Sequence, residues 1–248
     1  MDPWNLTTEQ WSQQLLSQTT LEAAASGLKK GELLPWTRIL FDVTSEGEKV
    51  LDLGAGRGEN AAALALEGRA PTLVDWSLDN LVFGQRLFDQ LGKKARFCQS
   101  DITRPLPFAD GSFDVVYSCG VFEYFTAPQI ESILREALRV SRRTVVIMVP
   151  NALSAAYRIG MWYLKATKKW NWGGEVPSVT LKPRFRAAGF RRLREFSVAS
   201  RHSLDFLVMP MGSLVQRVLL KLFGRTDSSR PAVLRQGYLL VTVGSKSE

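Results

Sequence analysis

The chain has 248 residues, 45% of them hydrophobic and 23% charged, with a formal net charge of +8 and a pI near 9.7. That length can bury a sizeable core and that composition is ordinary for a globular fold, so global disorder is excluded. Two cysteines, Cys98 and Cys119, give no disulfide framework, and the single histidine, His202, excludes a His-rich metal site and disfavours a Ser-His-Asp hydrolase.

The first residues, MDPWNLTTEQWSQQ, are polar and lack the basic and apolar regions of a secretory signal. The longest apolar stretches, around 144–157 and 206–215, fall short of the roughly 18–20 residues of a membrane span. With few cysteines, this points to a cytoplasmic location. Residues 1–45 read as helical, with Thr7 or Thr8 as first cap and breaks at Gly27 and Gly31–Pro35. The pattern then changes to short apolar runs alternating with amphipathic stretches. Strands are expected at Lys49–Leu53, Ala70–Asp75, Ala95–Gln99, Phe113–Ser118 and Thr144–Val149. Helices are expected at Glu59–Glu67, Leu78–Leu91 and Pro128–Val140. After Pro150 the rhythm loosens into a stretch rich in Tyr, Trp and Lys over 151–178. A helix at Leu181–Ala188 and a strand at Phe190–Ser197 follow, then an apolar segment with basic residues over 203–224. Gly237–Gly244 closes the chain as a strand. Strands alternating with helices at this spacing predict an α/β fold, with a parallel sheet covered on both faces.

The most informative segment is Val50-Leu51-Asp52-Leu53-Gly54-Ala55-Gly56-Arg57-Gly58, where a strand runs into three glycines and a helix begins. Glycine lets the backbone approach a ligand and adopt left-handed dihedrals. In an open α/β sheet, ligands sit at the carboxyl ends of strands. The third glycine of a dinucleotide fingerprint is replaced by Glu59, and no Gly-Lys-Ser/Thr follows, so neither that pattern nor a P-loop is met. The acid two residues before Gly54 suits a ligand bearing an amine or positive charge.

This stretch resembles motif I of the class I S-adenosylmethionine-dependent methyltransferases, with its nearest likeness to the small-molecule branch of ubiquinone and sterol methyltransferases. Asp75 ends the second strand, 23 residues after Asp52. Ser100-Asp101-Ile102 follows the third, and Phe113–Tyr124 resembles the family's fourth strand and next loop. The resemblance implies a Rossmann-like, doubly wound seven-stranded sheet, mostly parallel with an antiparallel last strand. It implies S-adenosyl-L-methionine as cofactor, no metal, and methyl transfer as the activity. Asp75 would take the ribose hydroxyls, Trp76 would pack on the adenine, Asp101 would take the adenine amino group and Ile102 would pack beside it. Asp52, Gly54, Ala55 and Gly56 would complete the cradle. Ser118 and Cys119 either line the methionine end or simply end a buried strand. Asp114 reads as a capping residue and Cys98 as core. Many relatives carry Glu-His after the fourth strand; here Glu123 is followed by Tyr124, and no catalytic base is assigned. His202 reads as a surface or partly buried residue.

One domain is expected over 1–248: a helical cap at 1–45, a cofactor-binding core at 47–150, and acceptor-side insertions at 151–178 and 200–236. Residues 1–126 hold 17 acidic and 11 basic residues, a balance of −6; residues 127–248 hold 7 and 21, a balance of +14. Carboxylates thus accompany the cofactor half, and the basic excess lies on the acceptor side. The favoured acceptor is a small molecule, apolar or anionic, methylated on O, N or C under an aromatic lid. Peripheral docking on an anionic membrane, to reach a lipid or lipid-linked glycan, is a second reading. An RNA surface is disfavoured because the nucleic-acid methyltransferase motifs are missing. A non-catalytic scaffold is disfavoured by the intact acids at 52, 75 and 101.

Overall fold

Short β-branched and leucine-rich runs, apolar on both sides, form strands that must be covered on both faces. The computed structural model describes residues 8–210, 212, 216–218 and 235–246. Its strands are β1 (Lys49–Leu53), β2 (Ala70–Asp75), β3 (Arg96–Gln99), β4 (Phe113–Cys119), β5 (Ser141–Pro150), β6 (Arg192–Val198) and β7 (Leu239–Ser245). They form one seven-stranded sheet in the order β3-β2-β1-β4-β5-β7-β6. Strands β1 to β5 pair in parallel, and β7 runs antiparallel between β5 and β6. The strand order reverses between β1 and β4, which opens a crevice at their carboxyl ends.

The two-residue period of a strand divides the core. Leu51 and Leu53 of β1 join Val116 of β4, Val145 and Ile147 of β5 and Leu240 of β7 on one face, under α6 (Ala127–Val140) and α8 (Lys182–Ala187). Val50, Val115, Tyr117, Val146, Met148 and Val241 face the other side, with Ile39, Leu40 and Leu64. Leu64 belongs to α4 (Glu59–Leu66), which packs beside α5 (Leu78–Leu91). Ser77 caps α5 by accepting from the Asn80 N–H, and Gly92 ends it in a left-handed conformation.

The N-terminal part departs from the sequence reading. It forms α1 (Thr8–Leu16), α2 (Leu21–Lys29) and α3 (Thr37–Val43). Gly27 is inside α2 rather than at a break. Its carbonyl accepts from Lys30 and Glu32, and burial of Ala24, Ala25 and Leu28 offsets the roughly 1 kcal/mol that a helical glycine costs. The break falls instead before Thr20, whose hydroxyl caps α2 by accepting from Ala23. Strand β5 starts three residues earlier than its apolar run, because exposed Arg142 and Arg143 pair with Asp114 and Glu48. After β5 comes α7 (Ala155–Ala166), and after β6 comes α9 (Ser200–Leu204). Of the second expected insertion, Phe206, Leu207 and Arg217 are described, while Leu214, Leu219, Lys221, Leu222 and Phe223 lie outside the described residues.

Candidate functional site

The glycine loop is bent back over β2: the N–H groups of Gly54 and Ala55 both donate to the Val74 carbonyl, at 2.8 and 3.0 Å. Gly54 and Gly56 have φ of 72° and 54°. A Cβ on Gly54 would lie 2.6 Å from Val121, and one on Gly56 would lie 2.8 Å from Leu15 of α1. The loop is therefore a bare backbone wall that side chains already approach as closely as they can.

Two buried acids flank it. Asp52, within β1, accepts from the Tyr117 hydroxyl at 2.8 Å. Burial raises its pKa to about 7, the Tyr117 hydrogen bond opposes the rise, and the charge of Asp75 adds to it. Asp75, at the end of β2, accepts from Gly56 N at 2.8 Å, Ser77 N at 2.9 Å and the Asn80 amide at 3.3 Å. Burial pushes its carboxyl up, and the Ser77 and Gly56 bonds hold it down. Ala55 sits between the two glycines, partly buried.

The remaining sequence candidates divide. Cys119 ends β4 between the fields of Glu123 and Asp52, and burial keeps its thiol protonated. Ser118 is fully buried and donates to the Leu53 carbonyl at 2.6 Å, so its hydroxyl ties β4 to β1. Trp76 is 51% exposed, and its carbonyl accepts from Gln99. Asp101 is exposed and accepts from the Thr103 N–H and hydroxyl. Ile102 is buried in the core beside Leu51 and Val74. Asp114 accepts from the Lys49 N–H, as a capping residue does, and Cys98 packs partly buried against the core. His202 is half-buried among Trp36, Phe206 and Tyr238, 3.3 Å from Asp205, and burial lowers its pKa.

Sequence reasoning missed the cover over this crevice. Helix α1 spans it: Ser12 donates to Ser77 at 2.5 Å, Arg57 donates to the Leu15 carbonyl at 2.7 Å, and Gln14 donates to the Asn171 carbonyl. Trp11 meets the Tyr124 ring edge-on at 4.9 Å and lies 6.0 Å from Trp172. Also missed was a buried polar cluster beyond β4. Glu123 sits in a short 3₁₀ turn, Phe122–Tyr124, and its backbone carbonyl accepts from Val176 N at 3.1 Å. Glu175, far from it in sequence but brought beside it by the fold, is buried and accepts from the Tyr157 hydroxyl. Glu175 is the single acid between Glu136 and Glu195, which was the one signal available in the sequence. The expected aromatic lid is largely interior: Tyr157 and Trp170 are buried around Met161, and Trp162 is 70% exposed.

The donor and acceptor set fits S-adenosylmethionine. A desolvated carboxyl with one phenol partner suits an ammonium group, a carboxylate at the end of β2 suits a diol, and glycines free of side chains allow close approach. Among the described residues no group of three or more metal-ligating side chains occurs. No helix among them is long and apolar enough to cross a membrane.

The fold is the one seen in solved S-adenosylmethionine-dependent methyltransferases. The family model described as a methyltransferase domain matches residues 50–144. A demethylmenaquinone methyltransferase of Beutenbergia cavernae is 40% identical over 110 residues, 43% of this chain and 42% of that protein. A magnesium-protoporphyrin O-methyltransferase of Rhodobacter capsulatus is 30% identical over 129 residues, 52% of this chain and 54% of that protein. The chain thus spans about half the length, or less, of these curated relatives. Among solved structures, a possible histamine N-methyltransferase of Thermotoga maritima superposes with a TM-score of 0.59 at 16% identity, covering 85% of this chain and 87% of that one. The magnesium protoporphyrin IX methyltransferase of Synechocystis, solved with bound S-adenosylhomocysteine, gives 0.56 at 13% identity, covering 96% and 93%. At those identities the likeness is one of fold.

Proposed function

We propose that this chain transfers the methyl group of S-adenosylmethionine to an O, N or C atom of a small acceptor with an apolar body. The observation that carries the reading is the pair of buried acids, Asp52 and Asp75, on either side of a bare glycine loop where the strand order reverses. In this reading Asp75 takes the ribose hydroxyls and Asp52 faces the amino-acid end. Gly54, Ala55 and Gly56 form the cradle wall, Trp76 and Ile102 flank the adenine, and Asp101 takes its amino group. Ser118 holds the wall through Leu53, and Cys119 lies toward the methionine end. The cofactor supplies an electrophilic methyl on a sulfonium. The protein's part is to place the acceptor in line with it and to exclude water, which α1 and segment 167–178 do. The acceptors named for the relatives, demethylmenaquinone and magnesium-protoporphyrin, support a small-molecule acceptor. Labelled methyl transfer into fractionated cell extract tests the activity; a chain that binds cofactor yet labels no fraction would be a scaffold.

A second reading places the acceptor at an anionic membrane. Its support is the outer face of α7, where Ile159 and Trp162 are 51% and 70% exposed beside Arg158, followed by exposed Lys168 and Lys169. Retention on anionic liposomes, reduced by salt, is the expected result; no retention at low salt ends this reading.

A further inference from the structure

The carboxyl ends of β4 and β5 hold a second polar centre, separate from the acids that flank the glycine loop. Glu123 is 5% exposed, and its Oε2 is fully enclosed without a hydrogen-bond partner. It stands two residues after Val121, the side chain that packs against Gly54, and its Oε1 lies 3.6 Å from the Cβ position of Gly120. The Gly120–Glu123 turn thus leads directly from the glycine loop to the enclosed carboxyl.

Glu175 faces it from the segment after α7, held there by the Val176-to-Glu123 backbone bond and by the Tyr157 hydroxyl. Tyr124, whose hydroxyl donates to the Trp172 carbonyl at 3.1 Å, and the phenol of Tyr238 complete the surroundings. Cys119 of β4 borders Glu123, and Lys165 of α7 is the cation that acts on Glu175. A buried acid with an unsatisfied oxygen costs free energy unless a ligand completes it. Two acids close together in one dry site also cannot both ionise freely, so one holds a proton through neutral pH. Burial and the Glu175 charge push Glu123 well up, and burial lifts Glu175 to about 7.

With one acid protonated and Lys165 already acting on the other, such a centre complements a neutral group that can both donate and accept. A carboxylate, sulfonate or phosphate would meet acids and phenol oxygens with no paired cation of its own. Resting on the methyltransferase reading, we propose that Glu123 and Glu175 form the polar subsite of the acceptor, that Glu123 Oε2 hydrogen-bonds an acceptor hydroxyl, and that the pair turns anionic groups away from this end. This sharpens the expectation of an apolar or anionic acceptor: any anionic part lies away from the reacting end, toward the basic outer surface. Trp11 of α1 packs on Tyr124 and Trp172 at the border of this centre, so the proposal has the acceptor enter with α1 displaced.

Three probes distinguish the possibilities: 2-naphthol, its methyl ether 2-methoxynaphthalene, and 2-naphthoate. Each is titrated into the full chain saturated with S-adenosylhomocysteine, with tryptophan fluorescence as readout. Wild type is expected to bind 2-naphthol about tenfold tighter than the ether or the naphthoate, the scale of one buried hydrogen bond. Glu123→Leu should abolish the preference over the ether. Glu175→Gln, which keeps the shape and an oxygen for the Tyr157 hydroxyl but removes the charge of the more readily ionised acid, should retain 2-naphthol and raise naphthoate affinity about fivefold or more. Where the Leu variant does not fold, the naphthoate gain in Glu175→Gln decides. Equal binding of naphthol and ether by wild type, no binding of naphthol at all, or unchanged selectivity in the variants overturns the proposal. S-adenosylhomocysteine affinity is measured first by calorimetry. Its absence in wild type would refute the cofactor reading, whereas intact cofactor binding with no hydroxyl preference refutes the subsite alone.

Discussion

Replacing Asp52 by Asn removes a buried charge while keeping the side chain's shape and the oxygen to which Tyr117 donates. In the folded chain Asp52 titrates near 7 rather than at the ordinary 3.8, because burial disfavours its ionised form. Between those values the folded chain holds a proton that the unfolded chain has released. Stability therefore falls as pH rises from the ordinary carboxylate range to about 7, and levels off above it. A shift of about three pKa units integrates to about 4 kcal/mol, and relaxation around the charge brings the expected penalty to between about 2 and about 4 kcal/mol. Total stability for a domain is on the order of 5–15 kcal/mol, so this is a substantial part of it. Urea melts at pH 5 and pH 8 test the argument, the two values standing for about either side of the transition. At pH 8 Asp52→Asn should be more stable than wild type by about 2–4 kcal/mol, with the difference shrinking toward pH 5. Cofactor affinity should fall in the same variant, because the acid is retained for binding at a cost to stability. A variant no more stable at pH 8, or a difference independent of pH, would refute the reasoning.

Other predictions follow from the same crevice. Asp75→Ala should weaken S-adenosylhomocysteine binding by about 10- to 100-fold, the scale of lost charge-assisted hydrogen bonds; calorimetry reads it, and unaltered affinity would remove Asp75 from the site. Gly54→Ala should cost about 2–5 kcal/mol, combining left-handed backbone strain with overlap on Val121. Adding Val121→Ala should recover the overlap part in a double-mutant cycle, and additive losses would show that the two do not touch. Leu15→Ala removes the side chain that packs on Gly56, so amide exchange over α1 and the cofactor association rate should both rise severalfold; unchanged rates would mean that α1 does not cover the crevice.

The central strands were legible because β1, β2, β4 and most of β5 lie in buried, largely apolar runs, and β1 and β2 carry the bounds expected of them. Helix α5 was legible for a different reason: Ser77 and Gly92 mark its ends chemically. Gly27 misled because burial of the neighbouring alanines outweighs its weak helix propensity. The acids Asp52 and Asp75 were found through spacing to the glycine loop. Asp101 and Trp76 occupy the expected sequence positions, but their own contacts are those of a turn and an exposed rim. Glu123 was noticed only as a neighbour of Tyr124. Glu175 stood out only as the single acid between Glu136 and Glu195, since nothing local in a loop says that a distant tyrosine will bury its carboxylate. The lid could not be read either: the polar and aromatic faces of α1 acquire meaning only once Ser77, Arg57 and Tyr124 are assembled beneath them.

The central claim is that the crevice between β1, β2 and β4 binds S-adenosylmethionine. Isothermal titration of S-adenosylmethionine into the full chain near pH 7 tests it most directly. Micromolar-class binding is predicted, with protons released as the ligand's ammonium draws Asp52 into its ionised form, detected as a dependence of the heat on buffer ionisation enthalpy. A titration showing no binding would contradict the account.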